Sequence, residues 1–255
     1  MSNLPHAAVT GASSGIGEAI ARDLATNGYR VTLVARRAEL LQKLADELGD
    51  CARVVVHDLS VPERATEWLA DAEAAFGPID VLVNNAGVQL LGGLSSADPE
   101  AGERLMRINV FSPLRLTRAL LPAMIARGSG TIVDIASLPA IAPTPHMPWY
   151  SASKAALAAA SETLHGELRG TGVHVVTVYP GPVDTPMASA ALVQYGNSNA
   201  VKAAPSGTTD KLARLVRSAI KNKRDRIIYP RTYWSARWFP GVTRFVLDRL
   251  APKPE

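Results

Sequence analysis

Tyr150 and Lys154 stand four residues apart in Trp149-Tyr150-Ser151-Ala152-Ser153-Lys154. On a helix, positions i and i+4 share a face, so the ammonium lies close to the phenol. An ordinary tyrosine has a pKa near ~10, and a neighbouring cation favours its ionised form, which brings the phenol toward proton exchange at neutral pH. The pair therefore suits general acid/base chemistry. Near the start of the chain, Thr10-Gly11-Ala12-Ser13-Ser14-Gly15-Ile16-Gly17 has the composition of a strand-to-helix turn. Glycines in such a turn let a pyrophosphate approach the backbone at a helix N-terminus, where free N–H groups and the helix dipole favour anions. Gly11, Gly15 and Gly17 also suit a plain turn with positive φ. The strand before them and the amphipathic helix after them supply the context that a cofactor cradle demands.

These residues need a frame. Short, mostly uninterrupted apolar runs predict strands over 7–10, 30–35, 52–56, 79–83, 130–136, 173–178 and 226–229, as expected for strands covered on both faces. Helical patterns fall between them, over 15–27, 37–48, 62–76, 99–127, 149–169 and 208–222. Ser60, with Pro62 and Glu63 behind it, reads as a helix start. Strand-helix alternation implies right-handed crossovers and a parallel, doubly wound α/β sheet of about seven strands with helices on both faces. Ligands in such sheets lie outside the C-terminal strand ends, at the switch in strand order. Most of the chemistry-bearing residues fall at those ends.

The 255 residues fit a single domain spanning 1–255, with 47% hydrophobic and 20% charged residues, an ordinary balance for a globular enzyme. One cysteine, Cys51, forms no internal disulfide, which agrees with a reducing cytoplasm. The segment from Met1 to the first strand leaves no room for a secretory signal, and no apolar run approaches the ~20 residues that span a bilayer. The net charge is +4, its excess gathered in Lys211, Arg214, Arg217, Lys221, Lys223, Arg224 and Arg226. Without a nucleic-acid motif beside it, this run reads as a solvated helix face. His57, His165 and His174 show no metal-ligand spacing, so no metal is expected. His146 lies in a Pro-rich loop and reads as surface.

The ordered set Thr10 to Gly17, Asp58-Leu59, Asn84-Asn85-Ala86-Gly87, Asn109, Ser137 thirteen residues before Tyr150, Lys154, Pro180-Gly181 and Thr185 resembles the classical short-chain dehydrogenases/reductases. The resemblance implies a Rossmann-type sheet. It also implies a nicotinamide dinucleotide held by Gly11, Ser13, Ser14, Gly15, Ile16 and Gly17, with Asp58 at the adenine amino group and Leu59 flanking the ring. Asn85, Ala86 and Gly87 would approach a ribose, while Pro180, Gly181, Val183 and Thr185 would hold the nicotinamide. Ser137 would bind the substrate oxygen, Tyr150 would exchange its proton, and Lys154 would hold the nicotinamide ribose and relay protons from a water at the Asn109 backbone. The chain departs from the family at Asp134, where Asn is common, at Ala136, where a second Ser is common, and at Leu138-Pro139 before Ala140.

At the end of the second strand, Ala35 stands where NAD enzymes keep a carboxylate for the ribose 2′-OH. Arg36 follows, and a guanidinium can pair bidentately with a 2′-phosphate and stack on adenine. This favours NADP(H) over NAD(H), although many NADP-dependent relatives carry a basic residue at the place of Ser14. Arg36 and Arg37 also suit the start of a solvated helix.

The function expected is interconversion of an alcohol with a ketone or aldehyde. The alternative is a non-catalytic NADP-sensing protein on the same fold. Leu90, Leu91, Leu94, Leu138, Ile141, Trp149 and Met187 point to an apolar small-molecule substrate. Residues 186–206 take the place of a substrate lid. The stretch 231–255 interleaves Trp234, Trp238, Phe239, Phe245 and Val246 with Arg231, Arg237, Arg244 and Arg249. Such a surface suits a subunit contact in a homodimer or homotetramer, or the substrate pocket, ahead of a membrane surface. Cytoplasmic location and no nucleic-acid partner complete the expectation.

Overall fold

The structure is a computed structural model and describes residues 4–194 and 205–239, together with 241–243, 245 and 249. Seven strands form one sheet: β1 (His6–Thr10), β2 (Arg30–Ala35), β3 (Ala52–Val56), β4 (Ile79–Asn84), β5 (Gly130–Ile135), β6 (Val173–Pro180) and β7 (Arg226–Tyr229). Their order is β3-β2-β1-β4-β5-β6-β7, with every pairing parallel. The order reverses between β1 and β4, which is the switch point of a doubly wound sheet.

Side chains alternate across each strand, and the two resulting cores account for the continuous apolar runs. On one face Ala7, Val9, Val81 and Val83 pack with Ile20 and Leu24 of α1 (Gly15–Thr26), Leu41 and Leu44 of α2 (Ala38–Leu48), and Leu212 and Val216 of α8 (Thr209–Asn222). On the other, Ala8, Leu82 and Ile132 pack with Leu69 of α3 (Leu69–Phe76), and with Leu116, Leu120 and Met124 of α5 (Ser112–Ala126). The basic run identified in the sequence lies largely on the outer side of α8: Lys211, Arg214 and Lys221 are exposed, and Arg217 is paired with Asp23 at 2.6 Å.

Two predicted helices are divided. Residues 62–76 form a 3₁₀ turn at Pro62–Arg64 and only then α3. Ser60 does not cap it: Val61 takes the cap position, and the Ser60 backbone N–H donates to Asp58 Oδ1 at 2.9 Å. Residues 99–127 form α4 (Pro99–Met106), a π turn (Arg107–Phe111) and α5. Pro113 explains the change of winding, since it has no N–H to give the Asn109 carbonyl in an α-helix. The remaining helices are α6 (Pro148–Glu167), α7 (Pro186–Gln194) and α9 (Ser235–Trp238).

Residues 195–204 of the expected lid lie outside the described residues, as do Arg244, Val246 and Leu250 of the C-terminal stretch. Trp234 and Trp238 are exposed, with ring centroids 5.7 Å apart. Glu162 of α6 ties this end down, pairing with Arg226 at 2.9 Å and Arg237 at 3.0 Å. Among the described residues no helix is long and apolar enough to cross a membrane. The fold predicts that Leu82→Ala, which empties a fully buried site in the central strand, lowers stability by about 2–5 kcal/mol. Urea denaturation checks this, and a midpoint unchanged from wild type would contradict the core assignment.

Candidate active site

The ends of β1 and β4 are joined by hydrogen bonds through Thr10. Its hydroxyl donates to the Val83 carbonyl at 3.1 Å and accepts from the backbone N–H groups of Asn85 and Ala86, each at 3.0 Å. The Asn85 amide donates in return to the carbonyls of Thr10 at 2.9 Å and Gly11 at 3.3 Å. The glycine turn is thereby pulled tight against β4. Gly11 has φ +66°, and a Cβ on it would come within 2.8 Å of the Asn85 amide nitrogen. On Gly17, a Cβ would collide with the Asn85 amide and the Gly11 carbonyl. Gly15, at φ +62°, faces the Thr185 methyl across the groove, where a Cβ would stand 3.3 Å from it. Gly17, Ser13 and Ala12 are buried, and Gly15 opens α1. No side chain caps α1, so its first N–H groups are available to an anion.

Arg37, rather than Arg36, reaches this turn. Its guanidinium donates to Ser13 Oγ at 3.1 and 2.8 Å and to Ser14 Oγ at 2.6 Å. Basic charge thus arrives at Ser14 from the end of β2, although residue 14 itself is neutral. Arg36 is exposed, and its charge acts on Asp58. Partial burial pushes the Asp58 carboxyl up, while the Ser60 donors and Arg36 outweigh it and leave the group below the usual carboxylate range. Leu59 is buried in the core, and its carbonyl accepts from Ser112 Oγ at 2.7 Å. Arg37, Ser13 and Ser14 therefore border one end of the groove, and Asp58 lies beside Arg36.

At the other end stand Ser137, Tyr150 and Lys154, all nearly buried. Ser137 follows β5 with extended backbone, and its hydroxyl reaches the Pro180 carbonyl at 3.4 Å. Burial raises the Tyr150 phenol above its ordinary value, and the Ser137 hydroxyl beside it pulls it down by less. The ammonium of Lys154 does not counter that rise. It instead donates to the Ile135 carbonyl at 2.8 Å, and burial lowers its own pKa to about 8 against the opposing charge of Asp134. Spacing four apart on α6 places the two residues on one face, and burial then dominates both.

Asn109 sits in the π turn. Its side chain accepts from Val88 N–H at 2.9 Å and donates to the Val88 carbonyl at 2.9 Å and to Ser153 Oγ at 3.0 Å. A Cβ on Gly87 would stand 3.1 Å from Asn109 Oδ1 and 3.3 Å from Lys154 Nζ, so these groups converge where residue 87 has no side chain. Across the cleft, the Gly181 N–H donates to the Tyr229 carbonyl at 2.7 Å, Val183 is bridged to Gly207, and the Thr185 hydroxyl accepts from Ala188 N–H at 3.1 Å to start α7.

The expected substrate wall is only partly together. Val88, Leu90, Leu91, Leu105 and Met147 cluster with Tyr150, whereas Ile141 packs with Ala136, Ala158 and Tyr179. Leu94 and Met187 are exposed. Trp149 lies against Gly102 of α4, where a Cβ would overlap its indole. His146 is half-buried with φ +63°, and its carbonyl accepts from Gly92 N–H at 2.9 Å, closing one loop against the other. Ser153 and Asp134 were not among the residues expected to act. Ser153, three residues after Tyr150, carried a spacing signal, and Asp134 carried one in its departure from asparagine.

The family model of the short chain dehydrogenases matches residues 5–195. An uncharacterised oxidoreductase of Staphylococcus saprophyticus is 40% identical over 185 residues, covering 71% of this chain and 79% of that protein. Among solved structures, an actinorhodin polyketide ketoreductase variant with NADPH superposes with a TM-score of 0.83 at 30% identity, over 90% of this chain and 97% of that one. A 3-ketoacyl-(acyl-carrier-protein) reductase of Brucella melitensis complexed with NADH gives 0.79 at 27% identity, over 88% and 96%. The glycine turn, packed so tightly that positions 11 and 17 have no room for a Cβ and its backbone lines the groove, fits a dinucleotide.

Gly17→Ala is expected to weaken binding of NADPH by about tenfold or more, about 1.4 kcal/mol. Quenching of tryptophan fluorescence on titration measures it, with circular dichroism as the control for folding. Undiminished affinity in a folded variant would place the dinucleotide elsewhere.

Proposed function

Because the chain belongs to the short-chain dehydrogenases, we propose that it is an NADP(H)-dependent oxidoreductase interconverting an alcohol with a ketone or aldehyde, with Tyr150 as the general acid/base. The observation that carries this reading is the convergence of the buried Ser137 and Tyr150 side chains at the end of β5, beside a buried Lys154 and across the groove from the glycine turn. The nicotinamide, when bound, supplies the hydride for carbonyl reduction and takes it up in the reverse direction. The residues that would hold the dinucleotide are Gly11, Ser13, Ser14, Gly15, Ile16 and Gly17 at the pyrophosphate end, Asp58 and Leu59 at the adenine, Asn85, Ala86 and Gly87 at a ribose, and Pro180, Gly181, Val183 and Thr185 at the nicotinamide.

Ser137 orients the substrate oxygen and Tyr150 donates to it. A phenol held above its ordinary pKa stays protonated at neutral pH, which is the form an acid needs for reduction. Lys154, lowered to about 8, sits where it can both give and accept a proton near neutrality. Asn109 positions this path by fixing the Val88 backbone and Ser153 beside Lys154. Val88, Leu90, Leu91 and Met147 next to Tyr150 favour an apolar carbonyl compound. Tyr150→Phe is expected to lower turnover of a ketone with NADPH by ~10²–10⁴-fold while leaving cofactor affinity unchanged. Wild-type turnover with chemistry rate-limiting would remove the proposed acid.

Preference for NADP(H) is assigned to Arg37 together with Arg36. The hydrogen bonds from Arg37 to Ser13 and Ser14 support this, because a guanidinium held over the cradle can pair with a 2′-phosphate. Arg37→Ala and Arg36→Asp are both expected to weaken NADPH more than NADH, by about tenfold or more in relative affinity, the loss of one charge-assisted contact. Titration of both cofactors decides it, and a ratio unchanged in both variants would leave the preference with neither arginine.

A further inference from the structure

Asp134 is a buried carboxylate that the mechanism above does not use. It lies in β5 with Asn84 of β4 and Thr177 of β6 as its register partners. Hydrogens converge on it from both sides. The Asn84 amide donates to its Oδ1 at 2.8 Å and spends its other hydrogen on Thr117 Oγ1 at 3.1 Å. Thr177 donates its hydroxyl to Ser161 Oγ at 2.8 Å. Burial pushes the Asp134 carboxyl up, and the Asn84 amide, the Ser161 hydroxyl and the charge of Lys154 oppose that rise. Asn84 Oδ1 is left buried without a donor, a cost accepted to aim both amide hydrogens outward. Against that burial, donors aimed at Asp134 and the charge of Lys154 favour the form that only accepts, an ionised carboxylate.

On α6, Lys154 and Ser161 are seven residues apart and face the sheet together. The Lys154 ammonium is buried and donates to one acceptor, the carbonyl of Ile135, the residue next to Asp134. A buried ammonium with one acceptor for three hydrogens needs an opposite charge nearby. The groups near it are Asn109 from the π turn and the backbone at Gly87 after β4; Tyr150 shares its helix face, and Asp134 of β5 acts on it by charge. Of these, Asp134 is the charge that acts on it among the described residues.

We propose that Asp134 is the buried counter-charge of Lys154, a positioning residue that keeps Lys154 an ammonium near neutral pH and so sets the pH above which the proton path through Tyr150 fails. The second half rests on the role given to Lys154 under the proposed function. The sign follows from the charges. Asp134 raises the Lys154 pKa against burial, which alone would place it lower still, so removing the carboxylate makes Lys154 lose its proton at a lower pH.

The test is NMR titration of the full chain labelled with ¹³Cε-lysine, the Lys154 signal being the one that disappears in Lys154→Arg. In Asp134→Asn the Lys154 midpoint is expected to fall by about one unit or more, as for the loss of a nearby opposite charge. The alkaline limb of ketone reduction with NADPH is expected to fall by the same amount. A midpoint that stays in place overturns the counter-charge. A midpoint that falls while the alkaline limb stays in place supports the counter-charge and overturns the role of Lys154 in turnover. A second measurement needs no variant at position 134: the Asp134 ¹³Cγ signal of the wild type is expected at the carboxylate position at pH 7, with an inflection at the Lys154 midpoint. A protonated Asp134 at pH 7, or a signal without that inflection, overturns the inference even if Asp134→Asn does not fold.

Discussion

The hydrogen bonds between the ends of β1 and β4 are the constraint on which the rest of the site depends. A doubly wound sheet opens a crevice where its strand order reverses, and here that crevice is bridged by Thr10 and Asn85. Because Asn85 binds the carbonyls of the glycine turn, positions 11 and 17 have no space for a Cβ, and the turn presents backbone rather than side chains to the groove. The same bridging fixes Ala86 and Gly87, and Gly87 in turn leaves room beside Asn109 and Lys154. One set of bonds thus couples the glycine turn at one end of the groove to Asn109 and Lys154 at the other.

Helix α6 is the second fixed member. It carries Tyr150, Ser153, Lys154, Ser161 and Glu162 and connects each to a different neighbour: Ser137, the Asn109 turn, β5, the polar pair with Thr177, and the arginines of β7 and α9. Burying so many polar groups between a sheet and a helix is tolerable only because nearly every one has a partner. It also explains why burial, rather than the spacing of Tyr150 and Lys154, governs the acidity of both.

The strands were legible because continuous apolar runs such as 31–34 and 81–83 have one explanation in an α/β chain, burial on both faces. The glycine turn and the Ser137, Tyr150 and Lys154 set were legible from residue type and spacing. What escaped the sequence depends on contacts between distant segments. Arg36 was favoured over Arg37 because it directly follows the strand, yet the guanidinium that meets Ser13 and Ser14 is that of Arg37, whose direction is set as the chain enters α2. The π turn at Asn109 had its cause in plain view at Pro113, but a long helical pattern masks a local change of winding. Ser60 has the residue type of a cap, but the turn starts one residue later, behind Val61. Asp134 stood out as a departure, and its partners emerge only once β4, β5 and β6 are in register.

If one groove brings a dinucleotide and a proton donor to the same carbonyl, hydride must pass from the cofactor to the carbonyl carbon. The most direct test follows the atoms: the enzyme is incubated with NADPH deuterated on the nicotinamide C4 and with a panel of apolar ketones and aldehydes, and the products are analysed by mass spectrometry and NMR. Alcohol with deuterium on the carbinol carbon, transferred from one face of the cofactor only, is expected. A cofactor that binds but transfers no deuterium to any carbonyl in the panel would contradict it and favour a binding protein on this fold.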